Sequence, residues 1–141
     1  MNNDHIYDAI IVGAGYAGLG QGAQFVQDDI DNFLILEKEE QLGGVWRDND
    51  YPGAACDTQS VIYCYSYYLN LEASRMYAGR DELLRYLEGL ADKYGLKDHL
   101  RTGQLVSEAV WQEDDLLWEL TTESGDTFRT RSWIPAWGQL G

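Results

Sequence analysis

The sequence predicts an α/β fold of the Rossmann type, a parallel sheet flanked by helices and carrying one dinucleotide site. Three observations carry that prediction. Ile10, Ile11 and Val12 form a continuous apolar run suited to a strand covered on both faces. Gly13, Gly15 and Gly18 follow at once with G-x-G-x-x-G spacing. Phe33, Leu34, Ile35 and Leu36 form a second apolar run, which ends at the carboxylate Glu37 about twenty positions beyond Gly18, where the fingerprint places an acid.

Each element has a physical task. Gly13 lets the chain turn sharply out of the first strand, Gly15 lets the backbone approach a pyrophosphate, and Gly18 lets the following helix lie close to the sheet. The N-terminus of that helix offers unpaired N–H groups and a positive dipole end to the phosphates. Glu37 can accept hydrogen bonds from the hydroxyls of an adenosine ribose, and these residues suit NAD and FAD equally well. Gly20 and Gly22 speak for a less specific glycine-rich segment, since each costs a helix about 1 kcal/mol relative to alanine.

Composition sets the outer limits. A chain of 141 residues is long enough for one domain with a real core and too short for two dinucleotide-binding domains. The formal charge of −14 argues against nucleic acid and anionic membranes as partners. No secretory signal or membrane-length apolar run is visible, so a cytoplasmic location is expected. Cys56 and Cys64, with His5 and His99 distant in sequence, do not make a zinc pattern and read as free thiols.

Beyond Glu37, the stretch to Asn70 is rich in glycine, aromatic residues and turn formers, and reads as a long ordered loop with short helical turns. Tyr63, Tyr65, Tyr67 and Tyr68 suit either a stacking surface or cover for the core, and composition favours cover. Asp81 to Tyr94 is the clearest helix. Leu83, Leu84, Leu87, Leu90 and Ala91 recur at helical spacing, and Gly95 supplies a stop. Leu105–Trp111, Leu117–Thr121 and Thr127–Arg131 predict an antiparallel meander with a hairpin turn at 123–126. Trp133–Ala136 is expected as a separate last strand of the parallel sheet, where Pro135 is awkward because a central strand needs its N–H.

The motifs GGVW (Gly43–Trp46) and YPGAACD (Tyr51–Asp57), then Ser60, Tyr63 and the tyrosine-rich run, resemble the N-terminal flavin-binding part of class B flavoprotein monooxygenases, in particular Baeyer–Villiger monooxygenases. The likeness continues through the helix to AWGQLG. It implies a Rossmann-like FAD domain of the two-dinucleotide-binding-domain type, with a small β-meander. It also implies FAD as the cofactor and NADPH as co-substrate of a complete enzyme, which oxygenates a ketone or heteroatom. By the same resemblance the turn Gly13, Ala14, Gly15, Tyr16, Ala17 and Gly18 holds the pyrophosphate, and Glu37 with Lys38 holds the ribose. Gly44, Val45 and Trp46 run beside the cofactor. Asp57 and Tyr63 lie near the flavin, Asp57 tuning its charge, Val106 lies near the adenine, and Gln139 follows the returning strand.

Two residues depart from the family pattern: Trp137 stands where a small residue is common, and Ala55 where an arginine often precedes the Cys-Asp pair. A second G-x-G-x-x-G is absent, so residues 1–141 are expected to form the first, incomplete part of a discontinuous FAD domain without an NADPH domain. Such a segment would be inactive alone and open to self-association through an exposed sheet edge. A small NAD-binding dehydrogenase-like module and a non-catalytic fragment stay open as alternatives. Glu37→Ala should weaken adenine-dinucleotide binding by about 1.5–3 kcal/mol, the range for hydrogen bonds to a charged group, as titration calorimetry would measure.

Overall fold

The computed structural model describes residues 2–139. Strand β1 (Asn2–Val12) leads through the glycine turn into helix α1 (Tyr16–Gln27) and strand β2 (Phe33–Leu36). A short helix α2 (Val45–Asp48) and helix α3 (Arg80–Lys93) follow, then a 3-10 turn at Leu96–Asp98 and strand β3 (Leu100–Arg101). Strands β4 (Val106–Gln112), β5 (Leu117–Thr122) and β6 (Thr127–Pro135) complete a six-stranded sheet of order β3-β2-β1-β6-β5-β4.

Strand β2 and the Ala9–Val12 end of β1 are apolar at every position because both of their faces are buried. Ala9, Ile11, Phe33 and Ile35 face one way and pack with Leu19 and Ala23 of α1 and with Leu87, Leu90 and Leu96. Ile10, Val12, Leu34 and Leu36 face the other way and meet Leu120 of β5 and Phe128 of β6. The antiparallel meander therefore covers the face that helices leave open. A side chain such as Leu87 or Leu120, at 0 % exposure, contributes about 1.5–3 kcal/mol of transfer free energy.

Helix α1 carries Gly20 and Gly22 because its neighbours stand too close for side chains. A Cβ on Gly20 would fall 2.4 Å from the Tyr65 ring, and one on Gly22 would fall 3.0 Å from Ile35. The cost in helix propensity is thus offset by packing. Tyr65 belongs to the aromatic loop, which lies against the helical core as cover. The Tyr16 and Tyr65 rings stack at 4.6 Å, the Tyr65 phenol donates to the Tyr16 carbonyl, and Tyr67 donates to the Gly20 carbonyl at 2.8 Å. Helix α3 ends where Gly95 adopts the left-handed conformation at φ 64°.

The C-terminal strands correct one expectation. Trp133–Ala136 is not a separate strand, because β6 runs unbroken from the meander into the parallel sheet. It pairs with β5 only over Thr127–Thr130, whereas β1 follows it to Pro135. The N–H of Ala136 donates to the Val12 carbonyl at 2.8 Å. Peptide groups alternate sides along a strand, so Pro135 faces away from β1. Its missing N–H falls on the side where no described strand pairs, which removes the objection to a proline there. The two-residue β3 and the 3-10 turn before it were not expected from sequence.

The tyrosine cover makes the fold sensitive to alkali. Burial, reinforced by the Tyr94 and Tyr86 phenols, pushes Tyr67 up to about 12, and burial likewise raises Tyr16, Tyr63, Tyr65 and Tyr86. A phenol that holds its proton more tightly when folded than its unfolded value of about 10 contributes stability that is full below that pH. The contribution is lost as pH rises from there toward 12. Phenolate absorbance near 295 nm is therefore expected to rise together with loss of circular dichroism, starting near pH 10. Phenolate signal preceding any loss of structure would contradict this.

Candidate functional site

The site forms where β1 and β2 end. Gly13 leaves β1 at φ 114°, and a Cβ there would lie 2.4 Å from the Ala136 carbonyl oxygen. A Cβ on Gly18 would lie 1.8 Å from the Gly13 carbonyl oxygen, so the first turn of α1 sits directly on the glycine turn. Gly15 and Gly44 press together: a Cβ on Gly44, which has φ 55°, would be 2.9 Å from the Gly15 Cα. The three glycines of the motif thus leave room for other parts of the chain as well as for a ligand.

The polar groups follow from this packing. Gly15 is the N-cap of α1, no side chain caps the helix, and no acidic residue stands in its first turn. The N–H groups of the first turn have no place in the i to i−4 ladder and carry the positive end of the dipole. Ala14 differs from its neighbours. Its N–H donates to Glu37 Oε2 at 2.8 Å, and its carbonyl accepts from the Gly43 N–H at 2.9 Å. Ala14 therefore shapes the turn, and its N–H is spoken for within the protein. The donors left for an anion are those that follow it, from Gly15 through Gly18, since the ladder opens with Leu19 N–H to the Gly15 carbonyl.

Glu37 stands at the end of β2 with 4 % exposure. Its Oε1 accepts the Glu39 N–H at 3.0 Å, and Arg47 Nη1 lies 3.4 Å from the same oxygen. Each carboxylate oxygen has accepted one N–H and keeps a lone pair, so hydroxyl donors remain compatible with the group. Lys38 beside it is exposed. The sequence reading assigned Glu37 only to a ligand, whereas the structure also gives it the task of holding the glycine turn.

The loop residues gather on the other side of the turn. Gly44, Val45 and Trp46 open α2, whose Gly43 and Gly44 both require positive φ. The Trp46 indole N–H donates to the Tyr63 hydroxyl at 3.1 Å, and the Tyr16 hydroxyl donates to the Tyr63 carbonyl at 2.9 Å. Burial raises the Tyr63 phenol, the Trp46 N–H opposes the shift, and the neighbouring Cys56 and Asp57 side chains add to it. Asp57 itself is exposed. Trp137 is 52 % exposed, stacks on Trp133 at 5.8 Å, and has its Cα 3.1 Å from a Cβ placed on Gly13. Ala55 bridges to Gly79.

Val106 packs against the meander-side core and Gln139 lies exposed beyond Gly138. Sequence reasoning did not find Arg47 or Arg80. The Arg80 guanidinium donates to the Trp46 and Arg47 carbonyls at 2.7 and 2.9 Å and so fixes α2 to α3. No spacing rule marks either arginine. Among the described residues there is no group of His, Cys, Asp and Glu that could hold a metal ion, and no helix long and apolar enough to cross a membrane. Chemically, the arrangement combines an anion-binding helix N-terminus with a carboxylate for hydroxyl groups. That combination fits an adenine dinucleotide.

By architecture this is a Rossmann-like nucleotide fold with an added meander, and a family profile described as NAD(P)-binding Rossmann-like domain matches residues 11–78. The chain is 39 % identical over 123 residues to a Baeyer–Villiger monooxygenase of Streptomyces coelicolor, covering 87 % of this chain and 24 % of that protein. It is 40 % identical over 128 residues to an FAD-binding monooxygenase of Botryotinia fuckeliana, covering 89 % of this chain and 24 % of the relative. A solved structure of oxidized steroid monooxygenase bound to NADP superposes with a TM-score of 0.90 at 38 % identity, covering 97 % of this chain and 27 % of the other. The chain is thus homologous along most of its length to part of the Baeyer–Villiger monooxygenases, and spans about a quarter of the length of these relatives.

Glu37→Ala should lower the stability of the ligand-free protein. It strips the buried Ala14 N–H of its acceptor, at a cost of about 1–3 kcal/mol before relaxation, and also removes the acceptor of the part-buried Glu39 N–H, which water can replace. Denaturant unfolding without nucleotide measures this, and an unchanged midpoint would show that the carboxylate does not hold the turn.

Proposed function

We propose that the chain is an FAD-binding segment of a flavin- and NADPH-dependent monooxygenase of Baeyer–Villiger type, with residues 1–141 forming the first part of a discontinuous FAD domain. One observation carries the reading. The glycine turn, the uncapped N-terminus of α1 and Glu37 meet in one cradle, in a chain 39 % identical to a Baeyer–Villiger monooxygenase. The pyrophosphate lies over Gly13, Gly15, Tyr16, Ala17 and Gly18, with Ala14 shaping the turn beneath it. Glu37, with Lys38 beside it, takes the ribose. Gly44, Val45 and Trp46 border the dinucleotide, Val106 lies toward its adenine end, Asp57 and Tyr63 lie toward its flavin end, and Gln139 contributes from beyond the returning strand.

When bound, the flavin supplies the redox chemistry, with electrons from NADPH and oxygen from dioxygen. The chain's own share is to bind, orient and shield. The Trp46–Tyr63 hydrogen bond fixes the wall of the cradle, and the raised Tyr63 phenol keeps its proton at neutral pH. The chain's coverage of about a quarter of its relatives' length supports the reading of a segment of such an enzyme. Alone, the segment is inactive in oxygenation. It acts in the cytoplasm and associates through the side of β6 that lies away from β1 beyond Thr130, where β5 no longer pairs with it.

Titrating FAD, NAD and NADP against thermal unfolding tests the reading. A ligand of the native state raises the melting temperature by mass action, and FAD is expected to do so at the lowest concentration. A preference for NAD would replace the flavin reading by that of an NAD-binding module.

A further inference from the structure

We propose that Arg47 is the charge partner of a bound pyrophosphate, the cation that allows a site containing Glu37 to accept two further negative charges. The inference rests on the dinucleotide reading above and names a residue that the sequence motif does not include.

The need for such a cation follows from the charges. A pyrophosphate at the α1 N-terminus meets a dipole worth about half a positive charge. Glu37, whose Oε2 accepts the Ala14 N–H at 2.8 Å, puts a full negative charge at the same turn. The chain as a whole carries −14 and offers no general attraction to anions. Lys38 is the adjacent cation, but it is exposed, where solvent and salt screen it.

Arg47 has the required position. Its Nη1 stands 3.4 Å from Glu37 Oε1, so one carboxylate separates the guanidinium from the Ala14 N–H. Its side chain is only 14 % exposed, which limits screening by solvent. The group is also held in place: Nε and Nη2 donate to Asp48 Oδ1 at 2.9 and 2.7 Å, and Nη1 donates to the Gln41 carbonyl. A guanidinium has five N–H donors, so donors remain for phosphate oxygens. The backbone places it there as well, since Arg47 follows Gly43 and Gly44, and Gly43 donates to the Ala14 carbonyl at 2.9 Å. One loop thus brings the cation to the turn that presents the anion-binding N–H groups.

A purely structural role for Arg47, clamping α2 to β2, would affect every ligand alike. Charge pairing affects anionic ligands and spares neutral ones. The test therefore compares ADP, by calorimetry, with adenosine, by ligand-observed NMR, on wild type, Arg47→Met and Asp48→Asn. Arg47→Met should weaken ADP binding by about tenfold or more, as for loss of a charge-assisted hydrogen bond, with adenosine unchanged within error. Asp48→Asn alters an exposed side chain and frees the guanidinium from a competing carboxylate, so it should tighten ADP binding about twofold or more and leave adenosine alone. Should Arg47→Met fail to fold, the Asp48→Asn arm decides by itself. Equal losses for both ligands, or ADP affinities unmoved by both substitutions, would overturn the assignment while leaving the dinucleotide site intact. Failure of wild type to bind either ADP or FAD would remove the dinucleotide reading and the Arg47 assignment together.

Discussion

The hydrogen bond from the Ala14 N–H to Glu37 is the contact on which the site depends. It joins the turn after β1 to the end of β2 and places a negative charge where a helix begins. Around it the remaining contacts close in sequence: Gly43 to the Ala14 carbonyl, Gly44 against Gly15, and Arg47 beside the carboxylate. None of these groups can move far alone. For this buried carboxylate, two N–H partners and a nearby guanidinium replace part of the hydration lost on burial.

The sheet explains how such a turn can be held. Adjacent residues of β1 and β2 point into two different cores, one built with helices and one with the meander. Pulling either strand out of register would exchange every buried side chain between the two cores. The ends of β1 and β2, and therefore Gly13 and Glu37, inherit that fixed alignment. Glycine contributes in a second way. At Gly13, Gly18, Gly20 and Gly44 a missing side chain lets two pieces of backbone or an aromatic ring approach to distances that no other residue permits.

Much of this was legible in the sequence because it is local or periodic. The glycine spacing, the apolar runs, the leucine stripe of α3 and the turn at Gly95 each depend on near neighbours. The family likeness of the 43–63 loop added what periodicity does not encode. What could not be read depends on contacts between distant residues. Arg47 and Arg80 matter through carbonyls and a carboxylate supplied by other elements. The continuity of β6 arises because its two halves find different partners, and the internal duty of Glu37 follows from a turn 23 residues away in sequence. The short β3 has only two residues to announce it.

Beyond Thr130, β6 has β1 on one side and no described strand on the other. A bare strand edge ordinarily invites any extended segment, and repeated pairing of that kind leads to fibres. Pro135 changes the terms of that invitation. It offers a carbonyl but no donor, so an incoming strand finds an interrupted ladder and gains full pairing only in registers that need nothing from that position. A proline at this position therefore interrupts the continuous backbone ladder on which repeated strand stacking depends.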